Sequence, residues 1–485
     1  MGMRAVRGAG RVLRARTGAT LVVITGLIGG ISQASAQSMP TALIQAYQNN
    51  PQLNAQRAQV RVTDETVPQA LSGYRPRISV TATAAEQYSD SVALSTDPTP
   101  GNPRRQMVVG PATETSGEFT SKSIGVTGTQ TLFNGFQTAN RTRFAEGQVS
   151  AAREGLRVIE QTVLLAAATV YMDLLRDTAI TEVQRSNVRV LDETLRQTRD
   201  RFNVGEVTRT DVAQSEAQLA AGQFQLLNAE SNLTTTRANY RRVIGVEAGK
   251  QTPAAPVDGL APRTLAASLQ LGLDQNPNVT AAMYGIDTAN LQVKINEGAL
   301  FPTLTLNASA QKLWNSSLTT LEQTTWSVGS QLTVPIYQGG GEYSLIRQSK
   351  ESLSQQRLNL ELTRDQVRSN IAQAWGVVEA TKAQIESAQA QVRFSETALN
   401  GVREEARVGQ RTTLDVLNAQ QTLVNARVTL VTAQHDRVVA SYNLLSAVGL
   451  LSPQTLSLAT PVYDPRIHYY QVRDSWLGLR TPDGK

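Results

Sequence analysis

From Ala112 to Thr252, and again from Ile336 to Ser452, this chain contains no proline, and both stretches are rich in Ala, Gln, Leu, Glu and Arg. These residues are good helix formers, and a run without proline has no forced break. The pattern predicts one long helix from Phe136 to about Asn203 and another from Gly340 to about Arg407. At a rise of 1.5 Å per residue each is a rod of roughly 100 Å. A seam runs along both. Ile371, Val378, Ile385, Val392 and Leu399 recur every seven residues with Ala374, Thr381, Ala388, Ser395 and Val402 between them, and Val188, Leu195 and Phe202 keep the frame in the first rod with Leu191 and Thr198. Val212, Leu219, Leu226, Leu233 and Tyr240 continue the period downstream of the first rod, and Leu417, Val424, Val431, Val438 and Leu445 do so after the second. A strict heptad favours a left-handed coiled coil, so each rod should fold back on a shorter successor.

The tip of each hairpin is the same short text. VGEVTRTDVAQSEAQL (204–219) and VGQRTTLDVLNAQQTL (408–423) share Val, Gly, Thr, Asp, Val and Leu at an offset of 204 residues. Other echoes extend the match: NNPQL (49–53) with QNPNV (275–279) and YRPRISV (74–80) with LFPTLTL (300–306) at an offset of 226, then LFNG (132–135) with IYQG (336–339) and VIGV (243–246) with AVGL (447–450) at 204. Two internal repeats of about this length point to duplication, 37–250 and 251–450, followed by a tail, 451–485. The 22-residue difference between the offsets places extra sequence between Pro76 and Phe133, read as a polar loop from about Ser89 to Thr120.

Between the helices the apolar period changes to two. Ile78, Val80, Ala82 and Ala84 alternate with hydroxyl residues, as do Leu304, Leu306, Ala308 and Ala310 with their neighbours; SIGVTGTQTLF and WSVGSQLTVPIY return more loosely. This reads as strand pairs at about 75–135 and 301–338, four strands of about ten residues, which suits either a half-buried sheet or a tilted membrane strand.

The first 36 residues read as an export signal: five arginines, the apolar run Leu21 to Ile31, and Ala34-Ser35-Ala36 as the cleavage site. Removing them takes five positive charges and no acid from the formal +6, leaving +1, so nothing suggests nucleic acid as a partner. With no cysteine, disulfides, thiol catalysis and a lipidated cysteine are excluded. The two histidines are His435, on the seam, and His468, in the tail; neither reads as a metal ligand. Gly339-Gly340-Gly341 lacks the Lys-Ser or Lys-Thr of a phosphate loop, and with its counterpart Gly135 marks a strand-to-helix joint. No catalytic constellation, cofactor or metal is indicated. The expectation is a protein that is not an enzyme.

At the tips, Gly205 and Gly409 suit a left-handed helix end, and Thr208 with Asp211 and Thr412 with Asp415 have capping-box spacing. Four strands cannot close a barrel, and open edges are not tolerated in lipid. Other copies would have to supply strands: two copies give eight, three give twelve.

FNVGEVTRTDV (202–212) and ARVGQRTTLDVLNA (406–419), with the leader, the repeat and the strand pairs between long helices, resemble the TolC family of outer-membrane efflux proteins over about 41–450. The resemblance implies an α+β membrane protein: a homotrimer whose strands join into one 12-stranded barrel in the outer membrane of a Gram-negative bacterium, continuing into a periplasmic α-helical coiled-coil barrel. It implies an exit duct for efflux or type I secretion, working with a periplasmic adaptor and an inner-membrane pump or ABC transporter. It places three copies of Asp415 in a ring at the periplasmic entrance, expected to titrate as a coupled set with raised proton affinity. It makes Arg411, Thr210 and Asp211 links between hairpins that keep the entrance closed. Asn418 stands where well-known members carry a second acid ring, and Ala406 where some carry a closing tyrosine. The competing reading is a non-conducting structural or adhesive coiled coil of the envelope.

Overall fold

The computed structural model describes residues 37–96, 109–482 and 484; the expected leader, 1–36, lies outside them. The helices are α1 (Met39–Asn49), α2 (Pro51–Asp64), α3 (Thr66–Leu71), α4 (Gln137–Asn203), α5 (Arg209–Ile244), α6 (Leu265–Gln275), α7 (Pro277–Gly298), α8 (Gly341–Arg407), α9 (Thr413–Val448) and α10 (Arg466–Val472). The strands are β1 (Arg77–Thr96), β2 (Val109–Asn134), β3 (Thr303–Ser317) and β4 (Thr320–Thr333).

The rods form at their expected limits. α4 and α8 each run 67 residues, and their successors α5 and α9 each run 36. Seam residues Ile371, Val378, Leu399, Leu417, Val424, Val438 and Leu445 are buried where α8 meets α9. The first hairpin's seam is more polar, with Thr181, Gln184, Asn187 and Thr198 buried beside Leu191 and Leu195. Before the strands the halves differ: α7 is continuous over 22 residues, whereas the first half divides its counterpart into α2, α3 and a 3-10 turn at Ser72–Tyr74. Pro68, with no N–H to give, stands where the second half has Lys294.

α4 occupies the centre of the helical body. Val163, Leu164, Ala167, Ala168, Tyr171 and Leu174 are buried in one core shared with α1, α5, α7 and α9. Each fully buried leucine there contributes about 2 kcal/mol of transfer free energy. Among the described residues α4 is the one helix long and apolar enough to cross a membrane, with a window of mean hydropathy 1.5, of which 44 % is buried inside the chain. Packing among its neighbours accounts for that apolarity.

The four strands form one antiparallel sheet in the order β1-β2-β3-β4. Its register sorts the two faces. Ile78, Gly128, Ala308 and Val328 share one row and Val80, Val126, Ala310 and Trp326 the next, whereas Ser79, Thr127, Ser309 and Ser327 align on the opposite face. On that polar face hydroxyls pair across strands at 2.7 Å: Ser79 with Thr127, Thr83 with Ser123, Ser309 with Ser327. Ile78, Val80, Trp326 and Val328 on the apolar face are exposed, and the outer edges of β1 and β4 have no partner strand among the described residues.

Three expectations need correction. The strands are 14 to 26 residues long, not about ten. The extra sequence of the first half is mostly strand: β1 and β2 stay paired from Arg77↔Thr129 out to Thr96↔Val109, so the expected loop shrinks to 97–108, outside the described residues. On the β2 side, Ala112 to Glu118 is Thr, Ser, Glu and small residues, which satisfy a ladder without an apolar signal. The last strand stops at Thr333 rather than Tyr337, because Pro335 cannot donate to a ladder.

The tail is folded onto the body. His468 on α10 is buried with its Nδ1 3.0 Å from Oδ2 of the fully buried Asp64 on α2, and Arg153 of α4 lies 3.9 Å from the other oxygen.

Candidate functional site

Both hairpin tips are built from the same two local motifs. α4 ends in a left-handed Gly205 (φ 83°), with Gly205 N–H donating to Phe202 O at 2.9 Å and Glu206 N–H to Arg201 O at 2.9 Å. α8 ends identically at Gly409 (φ 82°), with Gly409 N–H to Ala406 O at 3.2 Å and Gln410 N–H to Glu405 O at 2.9 Å. This bond pair satisfies the last carbonyls of each rod and turns the chain sharply. Neither glycine has any atom near where a Cβ would sit, so backbone sign alone demands it.

Three residues after each glycine, a reciprocal box opens the return helix. Thr208 N–H and Oγ1–H donate to Asp211 Oδ2 at 2.9 and 2.7 Å, and Asp211 N–H donates to Thr208 Oγ1 at 3.3 Å. Thr412 N–H and Oγ1–H donate to Asp415 Oδ2 at 3.0 and 2.9 Å, with Asp415 N–H returning to Thr412 Oγ1 at 3.2 Å. In both boxes the bonds fall on Oδ2, and Oδ1 takes none of them. The Thr208 hydroxyl and then its amide hold the Asp211 carboxyl below its ordinary range; for Asp415 the Thr412 amide leads and the hydroxyl follows.

Arg411 pairs inside its own hairpin, Nε donating to Glu405 Oε2 at 2.7 Å, rather than with Asp211 or Thr210. Glu405 holds the Arg411 guanidinium above its ordinary value. Thr210 and Asn418 are exposed beside their caps. Within the chain the hairpins touch a little above the tips, where Gln218 Nε2 on α5 donates to Gln421 Oε1 on α9 at 3.3 Å.

The family model described as outer membrane efflux protein matches residues 42–246 and 268–450. The chain belongs to that family. This outer membrane efflux protein is 39 % identical over 468 residues to the outer membrane efflux protein BepC of Brucella suis, covering 96 % of this chain and 97 % of the relative. It is 26 % identical to the outer membrane protein TolC of Vibrio cholerae, covering 89 % and 95 %, and 27 % identical to the alkaline protease secretion protein AprF of Pseudomonas aeruginosa, covering 68 % and 70 %. Its fold matches the CmeC outer membrane channel of Campylobacter jejuni at a TM-score of 0.71 and 17 % identity, covering 90 % of this chain and 89 % of that one. The efflux protein therefore resides in the outer membrane and extends into the periplasm.

Sequence reasoning missed two polar clusters of this efflux protein. Gln420, buried on α9, accepts from Arg403 of α8 at 3.1 Å and donates to Asn187 of α4 at 3.4 Å, joining the two hairpins. Further from the tips, His435 has Nε2 2.9 Å from Asp173 Oδ1 and Nδ1 2.8 Å from Asp436 Oδ1, while Arg176 reaches Asp173 at 2.9 Å and Asp177 at 2.8 Å. Burial works to lower the His435 proton affinity, but the Asp173 and Asp436 carboxylates outweigh it and raise the pKa. The only available signal was a histidine on an apolar seam, which does not name its partners on another helix.

Proposed function

We propose that three copies of this chain assemble into a passive exit duct, a 12-stranded barrel continued by a tunnel of helical hairpins. One observation carries this reading: a four-stranded sheet with one apolar and one hydroxyl-lined face, and both edges unpaired among the described residues. Such a sheet is unstable in lipid unless neighbours close it, and closure turns the apolar face to lipid and the hydroxyls to a wet lumen. The equal lengths of α4 and α8, and of α5 and α9, support a duplicated hairpin, so three chains would bring six similar tips to one entrance.

In this duct Asp415 faces the axis and sets cation preference, while Arg411, Thr210 and Asp211 govern closure. A capped aspartate can serve both roles, since the box uses Oδ2 and leaves Oδ1 to the lumen. Movement of cargo needs no chemistry from this chain. A periplasmic adaptor and an inner-membrane pump or ABC transporter supply the energy and dock at the tips, where Val204 and Val408 are exposed. The names of BepC, for efflux, and AprF, for protease secretion, support either cargo class.

Single-channel recording of the purified trimer in planar bilayers tests the reading. Discrete cation-preferring conductance is expected. A trimer that inserts but never conducts, even with its tips loosened by Arg411→Ser, overturns it.

A further inference from the structure

We infer that the end of the tail, Trp476 to Leu479, docks on the phospholipid surface of the outer membrane at the bases of the strands. The inference rests on the proposed membrane placement of the sheet.

Its position is set by a specific contact. Arg75, two residues before β1, donates Nη1–H to Ser475 O at 2.7 Å, and its guanidinium lies 4.6 Å over the Trp476 ring. Trp476 is thereby held level with the foot of the sheet. An exposed aromatic flanks each strand there: Tyr74 before β1, Phe136 after β2, Phe301 before β3 and Tyr337 after β4. Trp and Tyr collect where hydrocarbon meets headgroups, because the ring wants apolar surroundings and its polar group wants water, and barrel strands carry girdles of aromatic residues at both interfaces. Trp476 adds a fifth to this level.

The tip is also too apolar for water. Leu477 and Leu479 are 94 % and 104 % exposed and Trp476 66 %, three large apolar side chains within four residues. It is not a loose end. Upstream, α10 is fixed by His468 to Asp64, and by Tyr469 and Arg473 to Glu146 at 3.4 and 3.5 Å. Arg480, exposed directly after Leu479, and Arg75, held over Trp476, bring positive charge suited to lipid phosphates to the tip, and among the described tail residues from Trp476 onward there is no acid.

The chain has no cysteine, so single reporters can be placed in the full-length protein. Three variants each carry a small fluorophore on the introduced thiol: Leu479→Cys in the tail, Val328→Cys on the lipid face of β4, and Gln410→Cys at a hairpin tip. Each is reconstituted in phosphatidylglycerol and phosphatidylethanolamine vesicles carrying a shallow nitroxide quencher. The expected result is quenching of the tail reporter comparable to that of the strand reporter and several-fold above that of the hairpin-tip reporter, reduced when Trp476→Ala is added. A tail reporter quenched no more than the hairpin-tip reporter, with the strand reporter quenched, overturns the inference. Efficient disulfide crosslinking between protomers of unlabelled Leu479→Cys, with no lipid quenching of the labelled protein, overturns it in favour of a second copy. Loss of quenching at the strand reporter would instead remove the membrane placement of the sheet, and the inference with it.

Discussion

Arg411 and Glu405 form an ion pair across the second hairpin turn, Nε to Oε2 at 2.7 Å, and the first hairpin has a pair of opposite polarity from the matching rod position to a turn residue one place earlier. There Arg201 on the rod pairs with Glu206 in the turn at 2.8 Å, whereas Glu405 occupies the rod position matching Arg201. Both pairs are exposed, so neither contributes much to folding. Each instead holds a charge that a neighbouring hairpin could draw away. Arg411→Ser should raise single-channel conductance with no shift in thermal midpoint. Glu405→Gln should leave conductance at or below wild type, because it releases Arg411 to a neighbour. Equal opening by both variants would show that the bond within the hairpin is the latch.

Asp415 is pulled in two directions. The Thr412 amide and hydroxyl lower its proton affinity within the chain, while two further copies across an axis would raise it. In the proposed duct, copies of Asp415 held farther apart than about 8 Å across a water-filled entrance would be screened at physiological salt, and the cap should win. Cation preference should then persist as pH falls to the ordinary carboxylate value of about 3.9 and fade only below it. Reversal potentials across a salt gradient from pH 7 to pH 3 measure this. Asp415→Asn should lose the preference at every pH.

His435 has a proton affinity raised by its carboxylate partners, so its charged form stabilises the contact between α9 and α4. The sign follows directly. This stabilisation is fully present below the unfolded-state pKa of about 6.5 and is lost as pH rises through the higher folded value. Thermal midpoints should therefore fall from pH 5.5 to pH 8.5 in wild type, and more shallowly in His435→Gln.

Asp64 has its proton affinity raised by burial, against the opposing pull of His468 and Arg153. A carboxylate with a raised folded pKa contributes stability below its unfolded pKa and loses it as pH rises through the folded one. Release of the tail by a protease cutting after Arg466 or Arg473 should accordingly speed up toward neutral pH. His468→Ala removes the imidazole 3.0 Å from Asp64 and leaves Arg153 near that carboxyl, and should speed release of the tail at every pH. Asp64→Asn should flatten the pH dependence.

Gly409 and Gly449 share a left-handed backbone, φ 82° and 92°, in different surroundings. Nothing lies near a Cβ at Gly409, whereas at Gly449 one would sit 2.7 Å from the Asn276 Cα. Gly409→Ala should cost about 1–2 kcal/mol, the backbone term alone. Gly449→Ala should cost distinctly more, because main chain must move, and equilibrium denaturation of the two variants separates them.

Local order was legible in the residues themselves. Missing prolines, a seven-residue period, Val-Gly followed by Thr-x-x-Asp, and period-two alternation each act over a few bonds, so the rods, tips and strand pairs could be read without knowing what they touch. The failures were local as well: the β2 extension from Ala112 to Glu118 has no large apolar residue, and the ladder that recruits it comes from β1, where Val92 and Leu94 alternate with polar or small neighbours. Only tertiary structure decided who meets whom. That Arg411 takes Glu405, that His435 lies between Asp173 and Asp436, that Gln420 joins three helices, and that the tail is anchored through His468 to a buried Asp64 all depend on side chains up to 404 residues apart in the chain. Such contacts are chosen by the packing of rods against one another, and sequence spacing within one rod holds no information about its neighbour's rotation or height.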